Sequence, residues 1–398
     1  MGTNVKQLLV ELERREAAHL YRSRRALGPS TGPEIEVEGR RCVVFCSNDY
    51  LGLAHHPEVV AAWQRGAERW GVGAGAAHLV SGHTTAHQRL EQALAEFVGR
   101  PRALLFSTGY MANLGVISVL AGRNAQVYED RLNHASLLDA ALLARGTLVR
   151  YQHADPADLE RRLGDMRHSE RIIVTDGVFS MDGDQAPLGE LAELARRFDA
   201  WLMVDDAHGL GVLGETGRGS LEHAGLGHDD VPILMGTLGK AFGTFGAFVA
   251  GSDALIETLI QQARSYIYTT ALPPALAEAT QVSLEVAQRE SWRRQRLNHL
   301  VTVFRERAVQ LGLPLLESLS PIQPLLVGDN ARAMQLSDAL LERGILVSAI
   351  RPPTVPEGTA RLRITLSAAH SDNHLEHLLA ALAELDITPA GKLGEPER

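Results

Sequence analysis

Short runs that are apolar at nearly every position alternate with amphipathic segments through the first three quarters of this chain. The runs are RALLFS (102–107), AQVYED (125–130), TLVRY (147–151), RIIVTDG (171–177), WLMVDD (201–206), PILMG (232–236) and AFVAG (247–251). Strands without polar alternation are covered on both faces. Their alternation with helices predicts an α/β domain around a mostly parallel sheet. Ahead of them, Val5, Leu8, Leu9, Leu12 and Leu20 lie near helical spacing in an arm over 4–27 that GPSTGP is expected to stop. EIEVEGRRCVVFCS predicts a hairpin turning at Glu38-Gly39. Near 285 the texture changes to the charged helix SWRRQRLNHLVTVFRERAVQLG. IQPLLVG, ARAMQLSDALLERG, ILVSAI, ARLRITLS and HLEHLLAALAEL follow as strand and helix candidates of a smaller α+β domain. The expected division is 1–47 (helical arm and hairpin), 48–285 (large α/β domain), 286–387 (small α+β domain) and 388–398 (polar tail).

A length of 398 residues agrees with more than one hydrophobic core. The formal charge of -9 argues against a nucleic-acid or anionic-membrane surface, and no apolar run reaches the ~18 residues that span a bilayer. The N-terminus turns charged too early for a secretory signal, and Lys6 stands where a myristoylation signal wants Ser or Thr. On a strand, Cys42 and Cys46 stand roughly 13 Å apart, too far to bridge. The cytosol is the expected compartment.

Composition then singles out one side chain. Of 39 basic residues only Lys6, Lys240 and Lys392 are lysines, and Lys240 alone lies in the body of the chain, within TLGKAFG. Arginine serves as well for surface charge, but only a primary amine forms an imine. A Walker loop ending in Gly-Lys needs Ser or Thr at Ala241 and Gly at Leu234. Lys240 therefore reads as a Schiff-base lysine.

WLMVDDAHGLGVLGETGRG delivers Asp205 at the C-terminal end of a strand, with His208 three residues on. A buried carboxylate there keeps a pyridinium nitrogen protonated, which makes pyridoxal phosphate (PLP) an electron sink, with His208 at the phenolic oxygen. Two other readings stay open here: Gly209, Gly211 and Gly214 spell a dinucleotide fingerprint, and Asp205, Asp206 and His208 suit a divalent metal. FSTGYMANLG sets the amides of Gly109 and Tyr110 at a helix N-terminus, a phosphate site or an ordinary strand–turn–helix. His134 follows a strand, where it can stack on a flat ring or simply cap a helix. His83, His87 and Glu91 share helical spacing, but Thr84 replaces the Glu of a zinc-protease motif, so a packing or solvated face is expected rather than a metal. Arg351, before a double proline, is placed to clamp a carboxylate, with Thr354 just beyond.

Taken in order, SNDYLGLAHHP, SGH…HQRLE, FSTGYMAN, DRLNHASLLDA, DGVFSMDGDQAPL, VDDAHGLGVLGETGRG, GTLGKAFG and AIRPPTVPEGTARLRITL resemble the α-oxoamine synthases over about residues 10–385. The resemblance implies the fold type I of PLP-dependent transferases, aspartate-aminotransferase-like, with a seven-stranded, mostly parallel sheet and a smaller α+β C-terminal domain. It implies Lys240 as the cofactor's covalent anchor, Asp205 at the pyridine nitrogen, His208 at the phenolic oxygen, His134 on the ring and Ser180 as a further contact. Thr237 with the Gly109 and Tyr110 amides forms the implied phosphate cradle. YIYTTALPP resembles the segment that lends Thr269 or Thr270 to a partner subunit's phosphate, which implies a homodimer. Asn48 and Arg351 resemble the groups that hold the amino-acid carboxylate, Thr354 the same pocket, and Arg22 an arginine near the acyl chain. Within the family the likeness is to the biotin-forming branch, which condenses L-alanine with a pimeloyl thioester of coenzyme A or an acyl carrier protein. GVGAGAAH departs from the serine- and arginine-bearing version of many relatives, though His78 matches that branch. A sister branch such as glycine C-acetyltransferase, a nicotinamide-dependent oxidoreductase resting on Gly209, Gly211 and Gly214, and a silent binding module are the rival readings.

Overall fold

The computed structural model describes residues 5–164 and 170–387; Lys392 and the expected tail lie outside them. After the helix Val5–Ala17 come β1 (Leu27–Thr31), β2 (Glu34–Val37) and β3 (Arg40–Val44). β4 (Arg102–Phe106), β5 (Ala125–Asp130), β6 (Thr147–Tyr151), β7 (Glu170–Asp176), β8 (Trp201–Asp205), β9 (Ile233–Thr237) and β10 (Ala247–Gly251) follow, with helices between most of them. β11 (Ile322–Gly328), β12 (Ile345–Leu346), β13 (Ser348–Ile350) and β14 (Ala360–Thr365) complete the strands.

The chain forms two compact units, one of residues 49–180 and 184–295, the other of 1–48, 181–183 and 296–398. The first is built on a seven-stranded sheet in the order β4-β10-β9-β8-β7-β5-β6. β10 alone runs antiparallel to its neighbours, and every other pairing is parallel. Each of the seven apolar runs supplies one of these strands. Their alternate side chains enter two cores: Val127, Ile172, Val174, Met203 and Val249 on one face, Tyr128, Ile173, Leu202 and Val204 on the other. Burial on both faces is why polar alternation is missing from the sequence. The edge strand β6, exposed at Thr147 and Arg150, is the exception.

In the second unit β1, β2 and β3 form an antiparallel ribbon, and β3 pairs in parallel with β12. That pairing joins the N-terminal hairpin to C-terminal residues. The turn lies at Glu38-Gly39, whose φ angles of 51° and 79° suit a two-residue hairpin turn. Two local expectations are corrected. The arm helix ends at Ala17, and the Gly- and Pro-bearing Leu27–Thr31 is a strand paired with β2 rather than a simple stop. ILVSAI divides at Val347 into β12 and β13, and β13 joins β14 and β11 in a separate three-stranded sheet. No helix among the described residues is long and apolar enough to cross a membrane.

Candidate active site

Parallel strands deliver their C-terminal ends, and the loops after them, to one edge of the sheet. Asp176 and Asp205 are direct neighbours there, paired in register across β7 and β8. Asp205 is buried and accepts from Asn113 Nδ2 at 2.8 Å and from the Ala207 amide at 3.1 Å. Asn113 lies on the helix Gly109–Leu120 and also donates to Ser136 Oγ at 2.8 Å. Ser136 Oγ lies 2.8 Å from His134 Nδ1, and His134 caps the helix Ala135–Leu143. A continuous chain thus runs from Asp205 through Asn113 and Ser136 to His134. Asp176 accepts the His134 amide at 2.7 Å. Burial first, and then the Asp205 charge, push the Asp176 carboxyl well above its usual range.

Lys240 follows β9. Its Nζ lies 2.7 Å from His208 Nε2, and His208 Nδ1 lies 2.7 Å from the Tyr50 hydroxyl. Tyr50 and His208 are buried, whereas Lys240 is half-buried. The imidazole joins the two groups in two complementary ways. With an ammonium at Lys240, Nζ donates to Nε2 and Nδ1–H donates to Tyr50. With a neutral amine, Tyr50 donates to Nδ1 and Nε2–H donates to Nζ. The two arrangements differ by one proton, which leaves the row when the lysine passes from its charged to its basic form.

Thr108 caps the helix Gly109–Leu120, its Oγ1 accepting the Met111 amide at 3.2 Å, so Gly109 and Tyr110 occupy the first turn, whose amides point outward. Thr237 closes β9, its Oγ1 donating to the Gly246 carbonyl at 3.1 Å. Ser180 is half-buried beyond β7; Thr269 is half-buried and Thr270 exposed. The donor set suits PLP: an amine, a buried carboxylate for a ring nitrogen, two imidazoles and a glycine-led helix terminus for a phosphate. Asn113 Oδ1, buried without a hydrogen-bond partner beside Asp205, marks an unsatisfied polar position in the same place.

The rival readings of this region are corrected. Turns, not a helix, follow β8. A Cβ at Gly209 would stand 2.1 Å from Asp206 Oδ1, and one at Gly214 would stand 2.1 Å from Glu222 Oε2. These glycines make room for carboxylates, not for a dinucleotide. Asp206 turns away from His208 to accept both the amide (2.8 Å) and the hydroxyl (2.5 Å) of Ser220, while His208 is spent between Tyr50 and Lys240. Asp205, Asp206 and His208 therefore do not converge on a metal.

In the other unit Asn48 Oδ1 accepts from both terminal nitrogens of Arg363 at 3.4 Å. Arg351, the other group expected at the amino-acid carboxylate, donates to the carbonyls of His19 and, at 3.3 Å, Tyr21. Arg22 Nη2 donates to Thr354 Oγ1 at 2.9 Å, which brings those two candidates together. Tyr50, Asn113 and Arg363 are participants that sequence reasoning missed. Tyr50 and Arg363 lie inside quoted motifs, and Asn113 lies one turn from Gly109.

The sequence profile of class I and II aminotransferases matches residues 40–382. An 8-amino-7-oxononanoate synthase of Pseudomonas putida (strain KT2440) is 63% identical over 95% of this chain and 96% of its own length. That of Nitrosococcus oceani is 63% identical over 94% and 100%. Among solved structures, serine palmitoyltransferase of S. paucimobilis with bound PLP–myriocin aldimine superposes with a TM-score of 0.90 at 31% identity, over 95% of this chain and 96% of that one. The 8-amino-7-oxononanoate synthase of Francisella tularensis does so at 0.76 and 34%, over 86% and 97%. A family profile over most of the chain and relatives at this identity agree with the lysine, carboxylate and imidazoles gathered at the strand ends: the chain belongs to the class I and II aminotransferase family of PLP-dependent enzymes and, within it, to the 8-amino-7-oxononanoate synthases.

Proposed function

We propose that the protein joins L-alanine to a pimeloyl thioester of coenzyme A or acyl carrier protein, giving 8-amino-7-oxononanoate, carbon dioxide and the free thiol in biotin synthesis. The observation that carries this reading is the row Lys240–His208–Tyr50, which ends on a half-buried primary amine in the same unit as Asp205. PLP, when bound, supplies a protonated pyridine ring that draws off the electron pair left at alanine's α-carbon. Lys240 would anchor the cofactor and, as a free amine, would take the proton from alanine's α-carbon. His208 takes a proton from Nζ at Nε2, becoming an imidazolium whose Nδ1–H donates to the Tyr50 hydroxyl, so that the amine is regenerated in its basic form. Asp205, its carboxylate fixed by Asn113 Nδ2 and the Ala207 amide, would hold the proton on the ring nitrogen.

His134 packs on the ring, with its orientation fixed by Ser136. The amides of Gly109 and Tyr110, with Thr237 and Ser180, hold the cofactor. Thr269 or Thr270 serves the phosphate of a second subunit, so the working form is a homodimer. Arg351 or Arg363, with Asn48, holds the L-alanine carboxylate, and Arg22 with Thr354 receives the acyl chain. Cys42 and Cys46 are both free, in keeping with the cytosol as the proposed compartment.

The test is product formation by the PLP-loaded protein from a pimeloyl thioester with L-alanine, glycine or L-serine, read by mass. Product from L-alanine in at least tenfold excess over the others is expected. Preferential use of glycine with a shorter thioester would move the protein to a sister branch.

A further inference from the structure

His78, His83 and His87 have no part in the reaction above, and they do not meet as their sequence spacing suggests. Residues His78–Gly82 form a single π-helical turn, closed by the Gly82 amide on the Ala77 carbonyl at 3.0 Å. Such turns are rare and collect at functional sites. Here the turn sets His78 beside His83, with their Nδ1 atoms 3.0 Å apart. The turn requires its glycine, because a Cβ at Gly82 would stand 2.1 Å from the Ala76 carbonyl oxygen. Tyr266 stacks on the His78 ring at 4.9 Å and 12°, fixing its plane. His87 forms the third wall. Its Nδ1 accepts the Thr84 amide at 3.0 Å and its Nε2 donates to the Leu272 carbonyl at 2.6 Å, so both nitrogens are in use. An adjoining cavity of about 580 Å³, lined in part by Glu91, Gln88 and Gln92, opens beside the pair.

Two imidazole nitrogens 3.0 Å apart share one proton between two lone pairs. Two such nitrogens bound tetrahedrally to Zn²⁺ at ~2.0–2.1 Å stand about 3.3–3.4 Å apart. A cation therefore replaces the shared proton with a movement of a few tenths of an ångström, and that proton moves to the free Nε2.

We propose that His78 and His83 form an open binding site for a divalent transition-metal cation of the Zn²⁺ class, its shell completed by water from the adjoining cavity. The site is separate from the reading of the active site and stands or falls without it. His83 is exposed, so its replacement leaves the fold intact, which a thermal melt checks. Tag-free, PLP-loaded protein is titrated with Zn²⁺ in competition with a chromophoric chelator, beside His83→Asn and His56→Asn. The second variant controls for the His56, Glu58 and Glu290 cluster. The wild type and His56→Asn are expected to bind one Zn²⁺ that His83→Asn binds at least about tenfold more weakly. Equal binding by wild type and His83→Asn, no binding by wild type, or loss in His56→Asn instead would overturn the proposal.

Discussion

Lys240, His208 and Asp205 stand at or just past strand ends and are held by other side chains, whereas Arg22 and Arg351 stand on irregular segments, and Arg351 is held by backbone carbonyls distant in sequence. In the first set each group has a partner that fixes a proton's place: Tyr50 for His208, Asn113 for Asp205, Ser136 for His134. In the second, Arg351 spends hydrogen bonds on the carbonyls of His19 and Tyr21. Arg22 and Arg363 have side-chain partners in Thr354 and Asn48, and of the three arginines Arg363, on β14, is the buried one. Chemistry that moves protons needs groups fixed to fractions of an ångström, and strand ends supply that. Binding a carboxylate tolerates a looser mount.

The comparison breaks first at Lys240. Lys240→Ala should lower turnover at least about 10³-fold, because both the covalent anchor and the base are lost; product formation at the wild-type rate would contradict this. Asp205→Asn should retain PLP but slow deuterium exchange at alanine's α-carbon by about 10²-fold or more, as measured by NMR. The two arginines sharpen the contrast. Arg363→Lys should raise KM for L-alanine about tenfold with kcat changed less, and Arg351→Lys should raise it less, since its guanidinium is committed to carbonyls. Tyr50→Phe should lower kcat about tenfold and leave KM for L-alanine nearly unchanged, the reverse of the arginine pattern.

The smallest effect expected is on stability. His153, in the loop after β6, has Nδ1 and Nε2 2.9 and 2.8 Å from Asp130 and Asp184, joining the end of β5 to the loop after β7. Burial opposes the charge, but the two carboxylates outweigh it and push His153 up to about 10. A folded value above the unfolded one of about 6.5 stabilises the fold fully below pH 6.5, and this contribution is lost as the pH rises through 10. The Tm of His153→Asn should therefore fall furthest below wild type near pH 6 and converge with it above pH 10.

Much of this was legible because burial writes itself into local sequence. All seven strands of the large sheet are apolar runs, and Lys240 stood out because the chain otherwise avoids lysine in its body. What was not legible depends on partners far apart in sequence. Tyr50 meets His208 158 residues away, Asn113 meets Asp205 92 away, and Arg363 meets Asn48 315 away. None of these carries a local signal beyond an ordinary Tyr, Asn or Arg. β1 was hidden for a different reason: Gly28 and Pro29 read as breakers, yet an edge strand tolerates both.

The central claim is that Lys240 is the cofactor's anchor, and the chain's three lysines make it directly testable. PLP-loaded protein is reduced with borohydride, digested and mapped by mass spectrometry. The account predicts one pyridoxyl adduct per chain, on the peptide containing Lys240. An adduct on Lys6 or Lys392 instead, or none on any lysine, would contradict it.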